Sequence, residues 1–220
     1  MKTIVNALFV LIIIMACDAD NDLCLKGSGD VNDYTLELDS FDEVKLTGPV
    51  NLRITQGMGQ EVIVMAEPEM YQHLSYRVIN KRLEIGYEDN IKCFDTNFGV
   101  WINVTVPDIN AVSVEGASEI RSSGDLTLDK LAIDISGTGD IEITGNVDEQ
   151  IINVAGTINL NNFELSTETT EITIAGAGTL EVAVEELLDI TVSGAATIRY
   201  KGNPQIKQDI SGTLNLENAN

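Results

Sequence analysis

The stretch ITIAGAGTLEVAVEELLDITVSGAATIRY, residues 172–200, contains two copies of one pattern. In each copy an alternating apolar and polar strand ends in a small residue and a glycine, and a second alternating strand follows. The pattern occurs six times between residues 112 and 212, with its glycines 18 to 21 residues apart. These glycines are Gly116, Gly137, Gly156, Gly176, Gly194 and Gly212. A period near 20 residues with strand-like alternation predicts a β-solenoid.

Apolar side chains recur at even distances from each glycine, which places them on one face of each strand. Two positions before the glycine stand Val114, Ile135, Val154, Ile174, Val192 and Ile210. Four before it stand Val112, Ile133, Ile152, Ile172, Ile190 and the polar Gln208, and four after it Ile120, Ile141, Leu160, Leu180, Ile198 and Leu216. One coil cannot bury this face, but stacked coils can. We therefore predict an all-β fold, a parallel β-helix with coils of about 18–21 residues.

The odd positions between these columns are polar and should face solvent. Five positions after the glycine stand Arg121, Glu142, Asn161, Glu181, Arg199 and Glu217. Opposite charges then lie on adjacent coils, which supports the same register independently of the apolar columns. A leucine-rich repeat has a similar period but needs an L-x-x-L-x-L-x-x-N line, which is absent from the sequence. A β-sandwich is a further alternative, but it does not require apolar columns that repeat in register from one unit to the next.

Each glycine of the pattern is expected to turn the chain between two faces of its coil. Glycine adopts positive φ without steric cost, which suits such a turn. The preceding residue is small in every copy but the first, where it is Glu115, and this suggests a crowded corner.

The N-terminal sequence MKTIVNALFVLIIIMAC has the features of a secretory signal peptide, and its apolar run is too short for a membrane span. Its end, Ile14-Met15-Ala16-Cys17, resembles a bacterial lipobox. We predict a lipoprotein signal peptide over residues 1–16 and lipidation of Cys17; an ordinary signal peptide with an incidental cysteine is the alternative. The acidic residues 17–33 are predicted to form a flexible tether, and residues 34–220 a single β-helix domain.

A lipid on Cys17 would anchor the chain to a membrane without spanning it. Acids after this cysteine resemble the surface-export signal of Bacteroidota lipoproteins, whereas an adjacent Asp resembles an inner-membrane retention signal in enterobacteria. We expect attachment to the outer membrane with exposure at the cell surface. Outside the cytoplasm Cys24 and Cys93 can form a disulfide, and two free thiols remain the alternative.

The first half of the chain carries the same alternation less regularly. Strands are predicted in FDEVKLTGPVNLRITQG (41–57) and EVIVMAE (61–67), with a short helical turn starting at Pro68. A hairpin or a coil-to-coil pair is predicted around Asn80-Lys81. No linker separates this half from the regular repeats, so both halves are assigned to one domain.

The charge balance excludes some partners. The chain has 35 acidic and 13 basic residues and a formal net charge of −22. A polyanion is not suited to nucleic acid or anionic lipid. Acids on adjacent coils could share a calcium ion, but the G-G-x-G-x-D line of calcium-binding solenoids is absent from the sequence, and no cofactor is expected.

Several segments, in this order, resemble one known family. They are SFDEVKLTGPVNLRITQG, RLEIGYE, VWINVTVPDINAVSVEGASEI and the repeated [IV]-[SA]-G-x-[GA] lines, over about residues 40–217. This resemblance is to the auto-transporter adhesin head, or GIN-domain, family. It implies a right-handed parallel β-helix in a secreted or lipid-anchored bacterial protein, often from Bacteroidota. It supplies no catalytic residues to carry over.

We therefore expect a non-enzymatic adhesin or envelope interaction module with an unknown glycan or protein ligand. The alternatives are a polysaccharide-cleaving β-helix enzyme and a periplasmic structural or assembly module. Spacings of 18–21 residues leave no room for loops that wall a cleft, and the one histidine, His73, lies outside the regular repeats. We assign no catalytic, cofactor-binding or metal-ligating residue. Candidate platforms for sugar rings are Trp101, Tyr71, Tyr76, Tyr87 and Tyr200, of which Trp101 and Tyr200 are expected in the core.

The charged column yields a test of the register. Replacing Arg199 by glutamate should place three acidic side chains in series at positions 181, 199 and 217. Loss of two ion pairs and gain of two repulsive pairs should lower stability by on the order of 1 kcal/mol. The melting temperature at low salt measures this effect. An unchanged value would contradict the proposed register.

Overall fold

The computed structural model describes residues 23–87 and 91–220, so the predicted signal peptide and Cys17 lie outside the described residues. One short helix, α1 (Pro68–Tyr71), accompanies the strands of this part of the chain. The strands of the first half are β1 (Leu23–Lys26), β2 (Asn32–Thr35), β3 (Glu43–Gly48), β4 (Asn51–Gln56), β5 (Glu61–Ala66), β6 (Leu74–Ile79), β7 (Arg82–Tyr87), β8 (Ile91–Asp95) and β9 (Trp101–Val106). Those of the regular repeats are β10 (Ala111–Ser122), β11 (Leu126–Ile135), β12 (Thr138–Glu142), β13 (Gly145–Val154), β14 (Thr157–Ile174), β15 (Ala177–Val192), β16 (Ala195–Lys201), β17 (Gln205–Ile210) and β18 (Thr213–Asn218).

The regular repeats stack as parallel coils, about five turns in all, which confirms the β-solenoid. Strand segments before the corner glycines form face A, and segments after them form face B. Shorter segments such as Leu126–Leu128 and Gly145–Val147 form face C. The apolar columns pair in the predicted register: Val112 lies beside Ile133, and Ile133 beside Ile152. These columns are buried except in the last coil, where nothing covers them among the described residues.

The order of coils differs from the order of the chain in the first half. On face A, β3 lies between β7 and β10, and on face B, β4 lies between β9 and β10. The spatial order is therefore the reverse of the chain order: β3 and β4, which come earlier in the chain, belong to the second coil, whereas β7 and β9 belong to the first. Antiparallel strands end this side of the stack. On face A, β6 pairs with β7, and on face B, β5 pairs with β9 and β2 pairs with β5. The predicted helical turn at Pro68 and the hairpin at Asn80-Lys81 are both present, and both hairpin residues have positive φ.

The six glycines of the repeated pattern, the corner glycines, let the backbones of adjacent coils stack closely; they are not needed for a turn with positive φ. The carbonyl oxygen of Gly137 accepts a hydrogen bond from the backbone N–H of Thr157, 2.8 Å away, and a Cβ on Gly156 would overlap that same oxygen. The same overlap recurs at Gly116, Gly137, Gly176, Gly194 and Gly212. None of these six glycines has positive φ, so the prediction that φ explains them was wrong. Gly48, which stacks on Gly116, does have φ +81°.

The predicted flexible tether over residues 17–33 was wrong for its second part. Strand β1 pairs in parallel with β8, and Cys24 and Cys93 lie opposite each other, joined as a disulfide with Cα atoms 4.3 Å apart. The buried carboxylate of Glu67 accepts hydrogen bonds from the N–H of Gly29, at 2.6 Å, and from the hydroxyl of Thr96. The polar composition of the segment suggested mobility. Composition could not reveal these contacts, because they join positions that are far apart in the chain.

The corner contact predicts a strong effect of one methyl group. Gly156→Ala should destabilise the domain by about 3 kcal/mol or more, because the obstructing atom is a backbone oxygen that also holds the coil-to-coil hydrogen bond. Gly59→Ala is the matched control, since a Cβ at Gly59 meets no atom within 4 Å. It should change stability by less than about 0.5 kcal/mol. Urea denaturation measures both, and equal midpoints would refute this role of the corner.

Candidate ligand-binding surface

Face B presents a regular outward surface along the stack. Its outward positions alternate with the buried ones, so that side chains from successive coils form ladders. Near the N-terminal end these ladders contain Trp101, Arg53 and Asn103, and further along they contain charged residues and asparagines. A surface of this kind offers hydrogen-bonding groups at the spacing of the strands.

Trp101 lies on the outer side of face B, so the prediction that it belongs to the core was wrong. It shares the outward side of β9 with Asn103 and is half-buried. The guanidinium carbon of Arg53 lies 4.7 Å from the centre of the indole ring, and Arg53 also donates a hydrogen bond of 3.3 Å to Asn103. The alternation in WINVTV already puts Trp101 with Asn103 and Thr105, which was the missed signal. Arg53 and Asn103 were not identified from sequence.

The predicted charge ladder is present on face B. Arg121 contacts Glu142 and Asp140 on the next coil, and Arg199 contacts Glu181 and, at 3.9 Å, Glu217. These pairs are partly exposed, so each adds little stability. They hold the guanidinium groups in defined positions on a flat surface.

A second aromatic group lies at the N-terminal end of the stack. The rings of Tyr34 and Tyr71 stack with centroids 3.6 Å apart, and a hydrogen bond with Tyr76 raises the pKa of Tyr71. Tyr76 is 39% exposed and lies two residues from Val78, which lines a hollow of about 400 Å³. The other lining residues are Glu37, Leu38 and Asp39. Tyr34 was not identified from sequence, since only the fold brings β2 beside α1.

The remaining candidate platforms are unsuitable or remote. Tyr87 is buried, donates a hydrogen bond of 3.2 Å to the carbonyl of Met70, and packs edge-on against Phe94; burial raises the pKa of its hydroxyl. Tyr200 is half-buried at the opposite end of the stack and accepts a hydrogen bond from Asn218. The structure therefore brings Tyr71 and Tyr76 together and separates both from Trp101 and Tyr200.

Face A carries a shallow groove of about 400 Å³ that crosses several coils. Its polar lining includes Lys45, Ser113, Asp134, Asn153 and Thr173, and Lys45 pairs with Glu115 at 2.9 Å. The pKa of a nearby carboxyl, that of Glu84, is lowered by a hydrogen bond from Arg77, which is a structural ion pair. Among residues 23–87 and 91–220, no three His, Cys, Asp or Glu side chains are grouped to hold a metal ion, and no helix is long and apolar enough to cross a bilayer.

The contact between Arg53 and Trp101 can be tested by fluorescence, because Trp101 is the only tryptophan in the chain. Arg53→Ala should uncover the indole ring, shift its emission to longer wavelength and increase quenching by the neutral quencher acrylamide. Arg77→Ala, which removes an exposed guanidinium paired with Glu84, is the control and should leave the spectrum unchanged. Identical spectra for both variants would show that Arg53 does not cover the ring.

Comparison with known proteins agrees with this architecture. A family described as "Putative auto-transporter adhesin, head GIN domain" matches residues 40–204. A "putative adhesin" from Bacteroides fragilis superposes with a TM-score of 0.70 at 18% identity, covering 88% of this chain and 99% of its own. A "putative lipid binding protein" from Parabacteroides distasonis gives 0.58 at 17% identity, covering 90% and 100%. At such identities these two structures show the fold alone.

A third structure, a "putative adhesin" from Parabacteroides merdae, gives a TM-score of 0.51 at 16% identity and covers 89% of this chain and 98% of its own. No curated protein matches the sequence. The family match spans most of the chain and includes both the irregular first coils and the regular repeats. The chain therefore belongs to the auto-transporter adhesin head GIN-domain family.

Proposed function

We propose that this protein is a non-enzymatic adhesin-like module, anchored at the cell surface through Cys17, that binds a glycan or protein ligand along face B. The observation that carries this proposal is the combination of Trp101, Arg53 and Asn103 on an outward, in-register surface. An aromatic ring beside hydrogen-bonding groups is a common arrangement for ligand recognition. Membership of a family named for adhesion supports the same function.

The physical properties of the domain suit a surface role. Each coil is held to the next by in-register backbone pairing, so the outward groups keep fixed distances from one another. Such preorganisation reduces the entropy lost on binding. The net charge of −22 favours neutral or basic ligands over nucleic acid and anionic surfaces.

The N-terminal region supports anchoring close to the domain. The described fold begins at Leu23, and its first strand is pinned by the Cys24–Cys93 disulfide. If a lipid were attached at Cys17, only a few residues would separate it from β1. An outer-membrane location with the domain outside the cell is part of this proposal.

Proteinase treatment of intact cells tests the location. The native protein should be digested on intact cells. A Cys17→Ala variant should lose its membrane attachment and appear in the soluble fraction. Protection of the native protein until the outer membrane is permeabilised would place it in the periplasm and refute the surface-exposed adhesin.

Ligand binding by face B is tested separately with the purified domain on arrays of glycans and extracellular-matrix proteins. Trp101→Ala should reduce binding of any captured ligand at least tenfold, whereas Tyr200→Phe, at the far end of the stack, should not. Equal binding by both variants would exclude the Trp101 region as the binding surface.

A further inference from the structure

The C-terminal end of the stack exposes an unpaired sheet edge. Strands β17 and β18 each pair on one side only, with β15 and β16 respectively, and no described strand covers their outer sides. Ile210 is 37% exposed there, although the residues above it in the same column, from Val114 to Val192, are buried. Unpaired backbone and exposed apolar groups at such an edge favour pairing with another strand.

The sequence of β17, QIKQDI, is complementary to itself in antiparallel orientation. If two copies pair about an axis at Gln208, Lys207 of each copy lies opposite Asp209 of the other. The same register places Ile206 opposite Ile210. Lys207 and Asp209 face outward on face A, where they align with Asp189 and Thr191, while Ile206 and Ile210 align with the buried Leu188 and Val192.

This register satisfies both sides of the sheet at once. The outward side gains two symmetric ion pairs, and Lys207 would lie between Asp189, 4.0 Å away in its own chain, and Asp209 of the second copy. The inward side gains two isoleucine contacts, and between them the amide side chains of the two Gln208 residues lie opposite each other, where they can hydrogen-bond. Parallel pairing of β17 with a second β17 would instead place like charges opposite each other, which is unfavourable.

We infer that the C-terminal edge is a self-association surface, through which two copies of this chain pair end to end across β17. A twofold axis makes the contact isologous, so it closes as a dimer and does not propagate into a fibre. The contact area is small for an interface, because only the end of the stack takes part. We therefore expect a weak dimer with a micromolar dissociation constant.

Sedimentation equilibrium of residues 17–220 carrying Cys17→Ser, at about 0.15 M salt, tests this inference. This salt concentration screens the long-range repulsion between two acidic chains but screens close ion pairs less. Lys207→Asp and Asp209→Lys should each weaken dimerisation at least tenfold, because each opposes like charges twice. The double exchange Lys207→Asp with Asp209→Lys should restore it, since the opposite charges face each other again.

Lys130→Asp is the matched control, because Lys130 forms a comparable exposed pair with Glu149 on another part of the surface. It should leave the dimer unchanged. Recovery in the double variant distinguishes pairing across the edge from simple loss of folding. A wild-type chain that stays monomeric at several hundred micromolar would overturn the inference, as would a dimer that neither single exchange weakens.

Crosslinking gives an independent readout. In the proposed register Gln208 lies directly opposite Gln208 of the second copy on the inward side of the sheet, and the Cβ atoms of such opposed residues are about 4.5–5.5 Å apart. Gln208→Cys in the same Cys17→Ser background should therefore form an intermolecular disulfide on mild oxidation. Ser123→Cys, on an exposed turn, should not be joined. Equal crosslinking of both positions would contradict the register.

Discussion

The structure depends on the contact between backbones at the glycine corner. There the carbonyl oxygen of one coil accepts a hydrogen bond from the next coil and occupies the space that a Cβ would need. This contact recurs from Gly116 to Gly212, so the coils of the regular repeats stack closely and in register. The apolar columns can then pack directly above one another, and β-branched residues fill them.

The fixed stacking also determines what the surface can do. Ladders of outward side chains form because each strand repeats the alternation of the strand beside it. On face B this produces the Arg121 and Arg199 ion-pair ladders and, at the N-terminal end, the Arg53–Trp101 contact. The proposed adhesin function rests on this surface, which would make flat contact with a ligand over several coils.

The two ends of the stack differ in how far their apolar core is covered. At the N-terminal end, antiparallel strands, a short helix, the disulfide and the buried carboxylate of Glu67 cover the core. At the C-terminal end, β17 and β18 leave apolar residues partly exposed within the described chain. An unpaired edge of this kind favours pairing with another strand, and the charges of β17 favour the antiparallel orientation.

The periodic part of the chain could be predicted because its information is local and repeated. The glycine spacing and the even-numbered apolar columns determined the solenoid and its register, and the alternating charges at positions 121, 142, 181, 199 and 217 supported them. The reason for the glycines could not be predicted, since it depends on an oxygen one coil away.

The sequence by itself also indicated the turn at Pro68, which depends on neighbouring residues, and at Asn80-Lys81 it left a hairpin and a coil-to-coil pair open, of which the structure has the hairpin. Only the tertiary structure decided that β3 and β4 insert between β10 and the coil formed later, because pairing of distant strands is not encoded in local alternation. The same holds for the pinning of residues 23–26 against β8 and for the grouping of Arg53 with Trp101. Each of these joins segments that are separated by tens of residues, so their proximity follows from the folded chain alone.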